Sequence, residues 1–310
     1  MLNSSESKAE ESLKISVVIP VGNLSLYKRN LLDLIDAARE INAETILVFD
    51  GASTEDIHDF RQNIANKANE LIITSVTCRN PGGARNAGKS LSTGDWITFW
   101  DCDDIPNPTK ILSLIREAND LEKDVAIGRF NYIYLDEDSK ELSRKTSSKL
   151  SQGDWQFVVG LTPGIWRFAF RNSLVKDADF PETRMGEDQV FISRFLTGRV
   201  KVYVSNDVVY NYLVGRNTQL TKELNSISEK VNSANILTRE INQKIHKLSE
   251  FEFTLLIKMY LSIFKFNKFP QKVRLENLNL AIKCAASNPK YFYTLILIIL
   301  REKVHHSNAE

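Results

Sequence analysis

Three carboxylates lie within four residues near position 100, in the segment Asp101-Cys-Asp-Asp104. The segment directly follows the apolar run 96–100, which predicts a buried strand. Carboxylates this close together repel one another unless a cation lies among them, and Mg²⁺ and Mn²⁺ prefer oxygen ligands. We therefore predict a site for a divalent metal, Mn²⁺ or Mg²⁺, that suits a diphosphate ligand. The alternative is a solvated acidic turn that precedes a helix.

Polar segments also follow three other predicted strands. They are Pro20-Val-Gly-Asn23, Asp50-Gly-Ala-Ser53 and Asn80-Pro-Gly-Gly-Ala-Arg-Asn86. Because ligands of doubly wound sheets bind at the carboxyl ends of the strands, we expect these segments to lie near the acidic cluster. Asp50 can accept a hydrogen bond from a nucleobase N–H, or it can cap the next helix. The glycines with Arg85 can favour phosphate at a helix start, or form a plain junction.

An acidic pair, Glu187 and Asp188, lies far downstream at the predicted start of a helix. Such a pair often only stabilises the helix dipole. A carboxylate in a second acidic site can also take the proton of an attacking hydroxyl as a general base. From the residues alone, both interpretations remain open.

The elements that position these residues alternate between strand and helix through the first 130 residues. Strands are predicted at 15–19, 45–49, 71–76, 96–100 and 125–127, and helices at 25–40, 54–68, 83–92 and 108–121. The alternation predicts an α/β fold with a mostly parallel sheet flanked by helices. Further along, we predict a loop, a helix and two strands, at 139–153, 187–196, 200–204 and 208–213.

Taken together, these segments resemble glycosyltransferase family 2, whose inverting, nucleotide-sugar-dependent members have a Rossmann-like GT-A fold. The family pattern is a V-I-P strand, an Asp-Gly-Ser turn, a G-x-A-x-A-R-N-x-G segment, a D-x-D-D motif and a later E-D pair. The matching segments are Ser16-Val-Val-Ile-Pro20, Asp50-Gly-Ala-Ser53, Pro81-Gly-Gly-Ala-Arg-Asn-Ala-Gly88, Asp101-Cys-Asp-Asp104 and Glu187-Asp188. The resemblance covers about residues 15–215. Phe49 departs from it, because the family often has an Asp there.

The resemblance implies a role for each matched position. Asp103 would bind the metal, with support from Asp101 and Asp104, and Asp188 would be the general base. Glu187 would orient the acceptor, and Trp166 and Arg167 are weaker candidates for acceptor contacts. The residues expected to bind the nucleotide are Pro20, Val21, Asn23, Asp50, Asn80, Gly82, Arg85, Asp101 and Cys102, with Asp50 reading a uracil N–H.

The function implied is metal-dependent, inverting transfer from a nucleotide-diphosphate sugar, a UDP-sugar, to a saccharide or lipid-linked saccharide in bacterial surface polysaccharide synthesis. In a haloacid dehalogenase-like phosphatase, the acidic motif follows the first strand, whereas here it follows the fourth. A nucleotidyltransferase usually opens with a Gly-rich loop that contains Lys or Arg, which Val21-Gly-Asn-Leu24 lacks. A dehydrogenase needs G-x-G-x-x-G after the first strand. Retention of Asp103 and Asp188 argues against a non-catalytic glycan- or nucleotide-binding module.

Composition restricts the other classes. Forty Lys and Arg residues against 39 Asp and Glu give a net charge of +1, which does not indicate nucleic-acid binding. Three cysteines without metal-type spacing predict neither a disulfide framework nor a zinc site. Residues 1–14 form a polar tail without the apolar core of a signal peptide. The longest apolar run, 291–300, is too short to span a bilayer. We expect a cytoplasmic protein, with a possible position at the inner face of the membrane.

The domain organisation predicted is a GT-A-like domain over 15–221, with a nucleotide-binding half, 15–130, and an acceptor half, 131–221. A helical C-terminal region over 222–310 follows, with helices at 248–264 and 275–285. This region has 14 basic and eight acidic residues, a net charge of +6. It could reach an anionic membrane surface or mediate homo-oligomerisation. The alternative, which we favour slightly, is that its helices pack on the catalytic domain or self-associate.

Overall fold

The computed structural model describes residues 13–64, 71–136, 138–196, 200–215, 225–242, 248–266 and 269–286. The nucleotide-binding half contains β1 (Ile15–Val21), α1 (Leu24–Glu40), β2 (Glu44–Asp50), α2 (Thr54–Asn63), β3 (Leu71–Val76), α3 (Pro81–Leu91), β4 (Trp96–Phe99), β5 (Ile105–Pro106), α4 (Pro108–Asp120) and β6 (Val125–Leu135). The second half contains β7 (Glu141–Thr146), α5 (Trp155–Leu161), a 3-10 turn (Ile165–Arg167), β8 (Phe168–Arg171), α6 (Asn172–Val175), α7 (Glu187–Phe195) and β9 (Val202–Val214). The C-terminal region contains α8 (Asn225–Asn242), α9 (Glu250–Lys265) and α10 (Gln271–Ala286).

The strands of the described residues form one sheet in the order β3-β2-β1-β4-β8-β6-β9-β5, with β7 paired to the outer part of β6. Strands β3, β2, β1 and β4 are mutually parallel, and β6 is parallel to β9. The β8 strand lies between these two parallel groups and runs antiparallel to both β4 and β6. The predicted α/β fold with helices flanking a mostly parallel sheet is therefore confirmed.

The strand order reverses at β1, which has β2 on one side and β4 on the other. A reversal of this kind opens a crevice at the carboxyl ends of the strands, where α/β proteins bind ligands. Asn23, Asp50 and Asp101 lie at or just after the carboxyl ends of β1, β2 and β4, and therefore meet at one edge of the sheet.

Several boundaries differ from the predictions. The segment 139–153, expected to be a loop, contains β7, an exposed outer strand that pairs with β6. An exposed edge strand buries no apolar face, so the sequence has no alternating pattern to reveal it. The strands predicted at 200–204 and 208–213 form one strand, β9. The helix predicted at 54–68 ends at Asn63, and residues 65–70 lie outside the described part of the chain.

The C-terminal helices share a hydrophobic core with the sheet. Eleven of the sixteen residues of α9 are buried, and the apolar ones among them join the cluster that contains Val158 and Val159 of α5. Gly160 of α5 lies so close to α9 that a Cβ atom built on it would be 2.8 Å from Cβ of Thr254. This packing follows the alternative in which the helices cover the catalytic domain. Among the described helices, none combines the length and apolarity needed to cross a membrane.

Candidate active site

An open cavity of about 1430 Å³ lies at the carboxyl ends of β1, β2 and β4. This volume exceeds the 300–1,000 Å³ of typical small-molecule sites, so the cavity has room for two substrates side by side. Most of the predicted site residues line it, although they come from distant parts of the sequence. These residues are Pro20, Val21, Asn23, Asp50, Asn80, Arg85, Asp101, Cys102, Asp103, Trp166, Glu187 and Asp188.

Asp50, at the end of β2, has its carboxylate fixed by the segment before α3. The backbone N–H groups of Arg79 and Asn80 donate to its two oxygens, at 2.9 and 3.0 Å. The thiol of Cys78 also donates to it, at 3.2 Å. A carboxylate accepts about four hydrogen bonds, so Asp50 retains acceptor capacity toward the cavity. Its neighbour Phe49 points into the core against Phe60, which accounts for an aromatic residue there.

Helix α3 begins with a side-chain cap that shapes the nucleotide side of the cavity. Asn80 Oδ1 accepts a hydrogen bond from the Gly83 N–H at 2.7 Å, and Asn23 caps α1 through the Leu26 N–H at 3.1 Å. Gly82 was predicted to contact the nucleotide but does not line the cavity. A Cβ atom built on Gly82 would be 2.3 Å from the carbonyl oxygen of Pro181, so this glycine permits close packing between two segments.

Arg85 connects the acidic segment after β4 to the acidic pair at the start of α7. Its guanidinium donates to Glu187 Oε1 at 2.6 Å and to Asp101 Oδ1 at 2.8 Å, and its side chain is almost completely buried. Burial opposes the charged form, but the carboxylates of Asp101, Glu187 and Asp188 outweigh it and hold the pKa of Arg85 above its ordinary value. The start of α7 is thereby tied to the acidic segment after β4.

The acidic segment 101–104 does not act as one cluster. Asp101 and Asp103 line the cavity, and the Asp101 N–H donates to the Tyr210 hydroxyl at 2.9 Å. Asp104 is buried away from the cavity lining, and its Oδ1 accepts from the Leu213 N–H in β9 at 2.8 Å. The structure therefore gives Asp104 a role in joining this segment to β9, and its support of a metal stays a prediction. Burial and these acids raise the pKa of the Cys102 thiol, which keeps it protonated.

The carboxylates at the cavity wall still fit a divalent metal whose other ligands come from a substrate. In the part of the chain that the structure describes, no three His, Cys, Asp or Glu side chains form a metal-binding group. Mg²⁺ is typically bound through one or two carboxylates together with substrate phosphates. Asp103 and Asp101 supply these two carboxylates at the cavity wall.

Asp188 lies in the first turn of α7, two residues after a left-handed glycine. Gly186 has φ of +83°, and a Cβ atom there would be 3.0 Å from Cβ of Ser233, so both conformation and packing favour glycine. Asp188 lines the cavity, and its Oδ1 accepts from the Gln189 N–H at 2.7 Å. Burial, and then repulsion from the Glu187 carboxylate, raise the pKa of Asp188 to about 7.

The structure places the two residues predicted to contact the acceptor in different environments. Trp166 lines the cavity and stacks on Tyr210 and Tyr212, with ring centroids 4.8 and 5.5 Å away. Arg167 is buried outside the cavity lining, where its Nε donates to the Gly128 carbonyl at 2.8 Å. Its guanidinium also lies 5.1 Å from the centre of the Phe130 ring. The structure thus gives Arg167 a packing role, and its contact with an acceptor stays a prediction.

Several lining residues were not predicted from the sequence. Tyr132 and Tyr212 extend the aromatic wall beside Trp166, and Lys230 and Lys258 enter the cavity from α8 and α9. The tyrosines look like ordinary alternating strand residues, so the sequence contains no separate signal for them. Lys258 does have a signal, because it is the one charged residue in the mostly apolar stretch 253–263 of a buried helix.

Comparison with known proteins defines the class of this protein. A sequence profile of glycosyl transferase family 2 matches residues 16–185, more than half of the chain. The chain therefore belongs to glycosyl transferase family 2.

Particular relatives are bacterial. The poly(ribitol-phosphate) β-glucosyltransferase of Bacillus spizizenii is 28% identical over 210 residues, which cover 66% of this chain and 33% of that protein. The poly(ribitol-phosphate) β-N-acetylglucosaminyltransferase TarS of Staphylococcus aureus is 23% identical over 318 aligned positions, 96% of this chain and 54% of TarS. This chain thus spans about a third to a half of the length of these relatives.

The fold likeness extends into the C-terminal helices. The crystal structure of residues 1–349 of S. aureus TarS in complex with UDP-GlcNAc matches with a TM-score of 0.59 at 18% identity. The match covers 91% of this chain and 82% of that chain. The GT-A-like fold expected from the sequence is therefore confirmed.

Proposed function

We propose that this chain transfers a sugar from a UDP-sugar to an acceptor hydroxyl, with inversion at the anomeric carbon. One observation carries the proposal: Asp50, Asp103 and Asp188 come from three separate segments and line one cavity. These are the groups that base recognition, metal binding and proton removal require. The family membership, and relatives named as glucosyl- and N-acetylglucosaminyltransferases, support the same conclusion.

The donor is expected to bind at the edge formed by β1, β2 and α3. Asp50 would accept the uracil N3–H, because two backbone N–H groups already hold its carboxylate in place. The segment 20–23 would cover the base on the other side. The crystal structure of TarS, whose fold is similar, contains UDP-GlcNAc, and this further favours UDP as the nucleotide.

A divalent metal would be held by Asp103, with Asp101 as the second carboxylate. When bound, Mn²⁺ or Mg²⁺ would neutralise negative charge on the departing nucleotide. Arg85 keeps Asp101 oriented through its 2.8 Å ion pair, so this carboxylate is already in place before substrates bind.

Asp188 is the proposed general base. The acceptor oxygen attacks the anomeric carbon and forms the new glycosidic bond, while its proton passes to the Asp188 carboxylate. The bond from the anomeric carbon to the phosphate oxygen breaks, and its electron pair leaves with UDP. A single displacement of this kind inverts the anomeric configuration. Glu187 is bound to Arg85 at 2.6 Å, so we propose that it positions the start of α7 in addition to orienting the acceptor.

The acceptor side is the aromatic wall of Trp166, Tyr132 and Tyr212. Flat aromatic faces suit the apolar faces of a sugar or polyol. We propose a saccharide, lipid-linked saccharide or polyol-phosphate chain of the bacterial surface as the acceptor. The last of these is supported by the names of the two relatives, which act on poly(ribitol-phosphate).

A screen of nucleotide sugars tests the proposal. Each donor is incubated with the protein and Mn²⁺, with and without candidate acceptors, and the release of free nucleotide is measured. We expect release from at least one UDP-sugar and an increase when the right acceptor is present. Binding of UDP without turnover of any UDP-sugar would instead support a non-catalytic module.

A second experiment tests the metal site without requiring turnover. Asp103→Ala should abolish Mn²⁺-dependent binding of UDP, measured by isothermal titration calorimetry, because it removes the main proposed ligand. Asp138→Ala, on an exposed turn, is the matched control and should bind UDP as the unaltered protein does. Equal UDP affinity of the protein in chelator and in Mn²⁺ would contradict the metal requirement.

A further inference from the structure

Two lysines of the C-terminal helices reach into the same cavity as the proposed general base. Lys230 lies in α8 and Lys258 in α9, and both line the cavity with Asp188. Lys258 is close enough to interact electrostatically with both Asp188 and Lys230. The cavity therefore has a positively charged wall on the Asp188 side, and this wall comes from outside the segment that matches the family profile.

Contacts with the catalytic domain fix both helices in place. The Ser233 hydroxyl of α8 bonds with the Thr183 hydroxyl and the Met185 carbonyl, directly before the segment that contains Asp188. A hydrogen bond between Thr238 and Tyr260 joins α8 to α9. These hydrogen bonds connect the helices that contain the two lysines to the segment before the proposed base.

The two ammonium groups are in an unfavourable environment without a ligand. Both side chains are half-buried, and burial lowers the pKa of Lys230 and lowers that of Lys258 to about 8. They repel each other, and within the described residues neither forms a salt bridge or a hydrogen bond. Burial of two neighbouring cations is costly even with the Asp188 carboxylate nearby, so a bound anion would stabilise this arrangement.

We infer that Lys230 and Lys258 form a subsite for a phosphate ester on the acceptor. The inference rests on the proposed function, because it assigns the donor diphosphate to the Asp103 side and the acceptor to the Asp188 side. Lysine binds phosphate as a point charge, whereas planar carboxylate recognition is better served by arginine. Two adjacent cations also match the charge of a phosphate better than that of a single carboxylate.

The test measures binding of three hexoses to the protein saturated with UDP and Mg²⁺. Glucose 6-phosphate, glucuronate and glucose share the same ring and differ in the group at carbon 6. Their affinities are determined by saturation-transfer NMR for the unaltered protein, Lys230→Gln, Lys258→Gln and the double variant. Lys283→Gln, on the exposed side of α10, is the control for loss of one positive charge.

We expect the unaltered protein to bind glucose 6-phosphate more tightly than glucose and glucuronate. In Lys230→Gln and in Lys258→Gln, the affinity for glucose 6-phosphate should fall about tenfold, as expected for the loss of one charge-assisted hydrogen bond. Replacement of both lysines by arginine should restore most of it, and Lys283→Gln should have no effect. The affinity for UDP, measured by calorimetry, should be the same in all variants.

Other results overturn the inference in distinguishable ways. Unchanged binding of glucose 6-phosphate by the double variant would show that the lysines do not recognise phosphate. Equal binding of glucuronate would assign the subsite to carboxylates, and weakened UDP binding would assign the lysines to the donor. Failure of the unaltered protein to bind UDP would contradict the proposed function itself, and with it an acceptor subsite.

Discussion

Asp188 is half-buried next to Glu187, and this environment determines the pH at which it can accept a proton. Because its pKa is raised to about 7, the carboxylate is largely protonated, and therefore inactive as a base, below pH 7. We expect kcat/KM to rise about tenfold per pH unit below 7 and to level off above it, since this ratio reports the free enzyme.

The variant Asp188→Asn checks that this profile belongs to Asp188. It keeps the shape of the side chain but cannot accept a proton, so turnover should fall at least about 100-fold while UDP-sugar affinity stays nearly constant. The residual rate should no longer follow the pKa near 7. A variant that retained the unaltered profile would show that another group is the base.

Loss of Arg85 should lower the stability of the fold, because its guanidinium holds two carboxylates. Its removal leaves Glu187 and Asp101 without their ion-pair partner, and an uncompensated buried charge costs about 3–5 kcal/mol. We expect Arg85→Met to lower the free energy of unfolding by that amount in urea titrations. Arg39→Met is the matched control, because the ion pair of Arg39 with Asp36 is exposed and should contribute about 0–1 kcal/mol. Equal losses in the two variants would contradict a structural role for Arg85.

At the scale of elements, the contact between α5 and α9 decides whether the C-terminal helices belong to the catalytic domain. Gly160→Val places a side chain against Thr254 and the Phe251 carbonyl, and overpacking of this kind costs about 1–3 kcal/mol. We expect one cooperative unfolding transition at lower urea. Gly153→Val, at an exposed position with open space around it, should leave the midpoint nearly unchanged. Separate transitions for the two regions, with only one shifted, would indicate an independent appendage.

The sequence could not settle this arrangement. The apolar spacing of α9 predicts a helix with a face to bury, and the periodicity is the same whether that face covers the protein's own core, a partner or a membrane. The core that α9 shares with the sheet and the close approach at Gly160 distinguish them. The apolar run 291–300 lies outside the described residues, so membrane contact and oligomerisation stay predictions that liposome co-sedimentation and light scattering can test.

At the scale of the whole molecule, the nucleotide-binding half was predictable because its signals are local. The strands β1 to β4 are apolar runs followed directly by polar residues, so Asp50, Arg85 and Asp103 could be predicted together. What depends on tertiary contacts was not predictable. The Asp104 carboxylate accepts a hydrogen bond from β9, and Arg167 packs in the core. Lys258 lines the cavity from a helix, about seventy residues beyond Asp188 in the sequence.

The central claim is that this cavity catalyses a direct displacement on a UDP-sugar. Proton NMR of one reaction mixture, with the protein, Mg²⁺, the UDP-sugar found by the screen and its acceptor, follows the anomeric signals over time. We predict that the signal of the donor is replaced by that of a product with the opposite anomeric configuration, while UDP accumulates in equal amount. A product that retains the donor's configuration would contradict the mechanism.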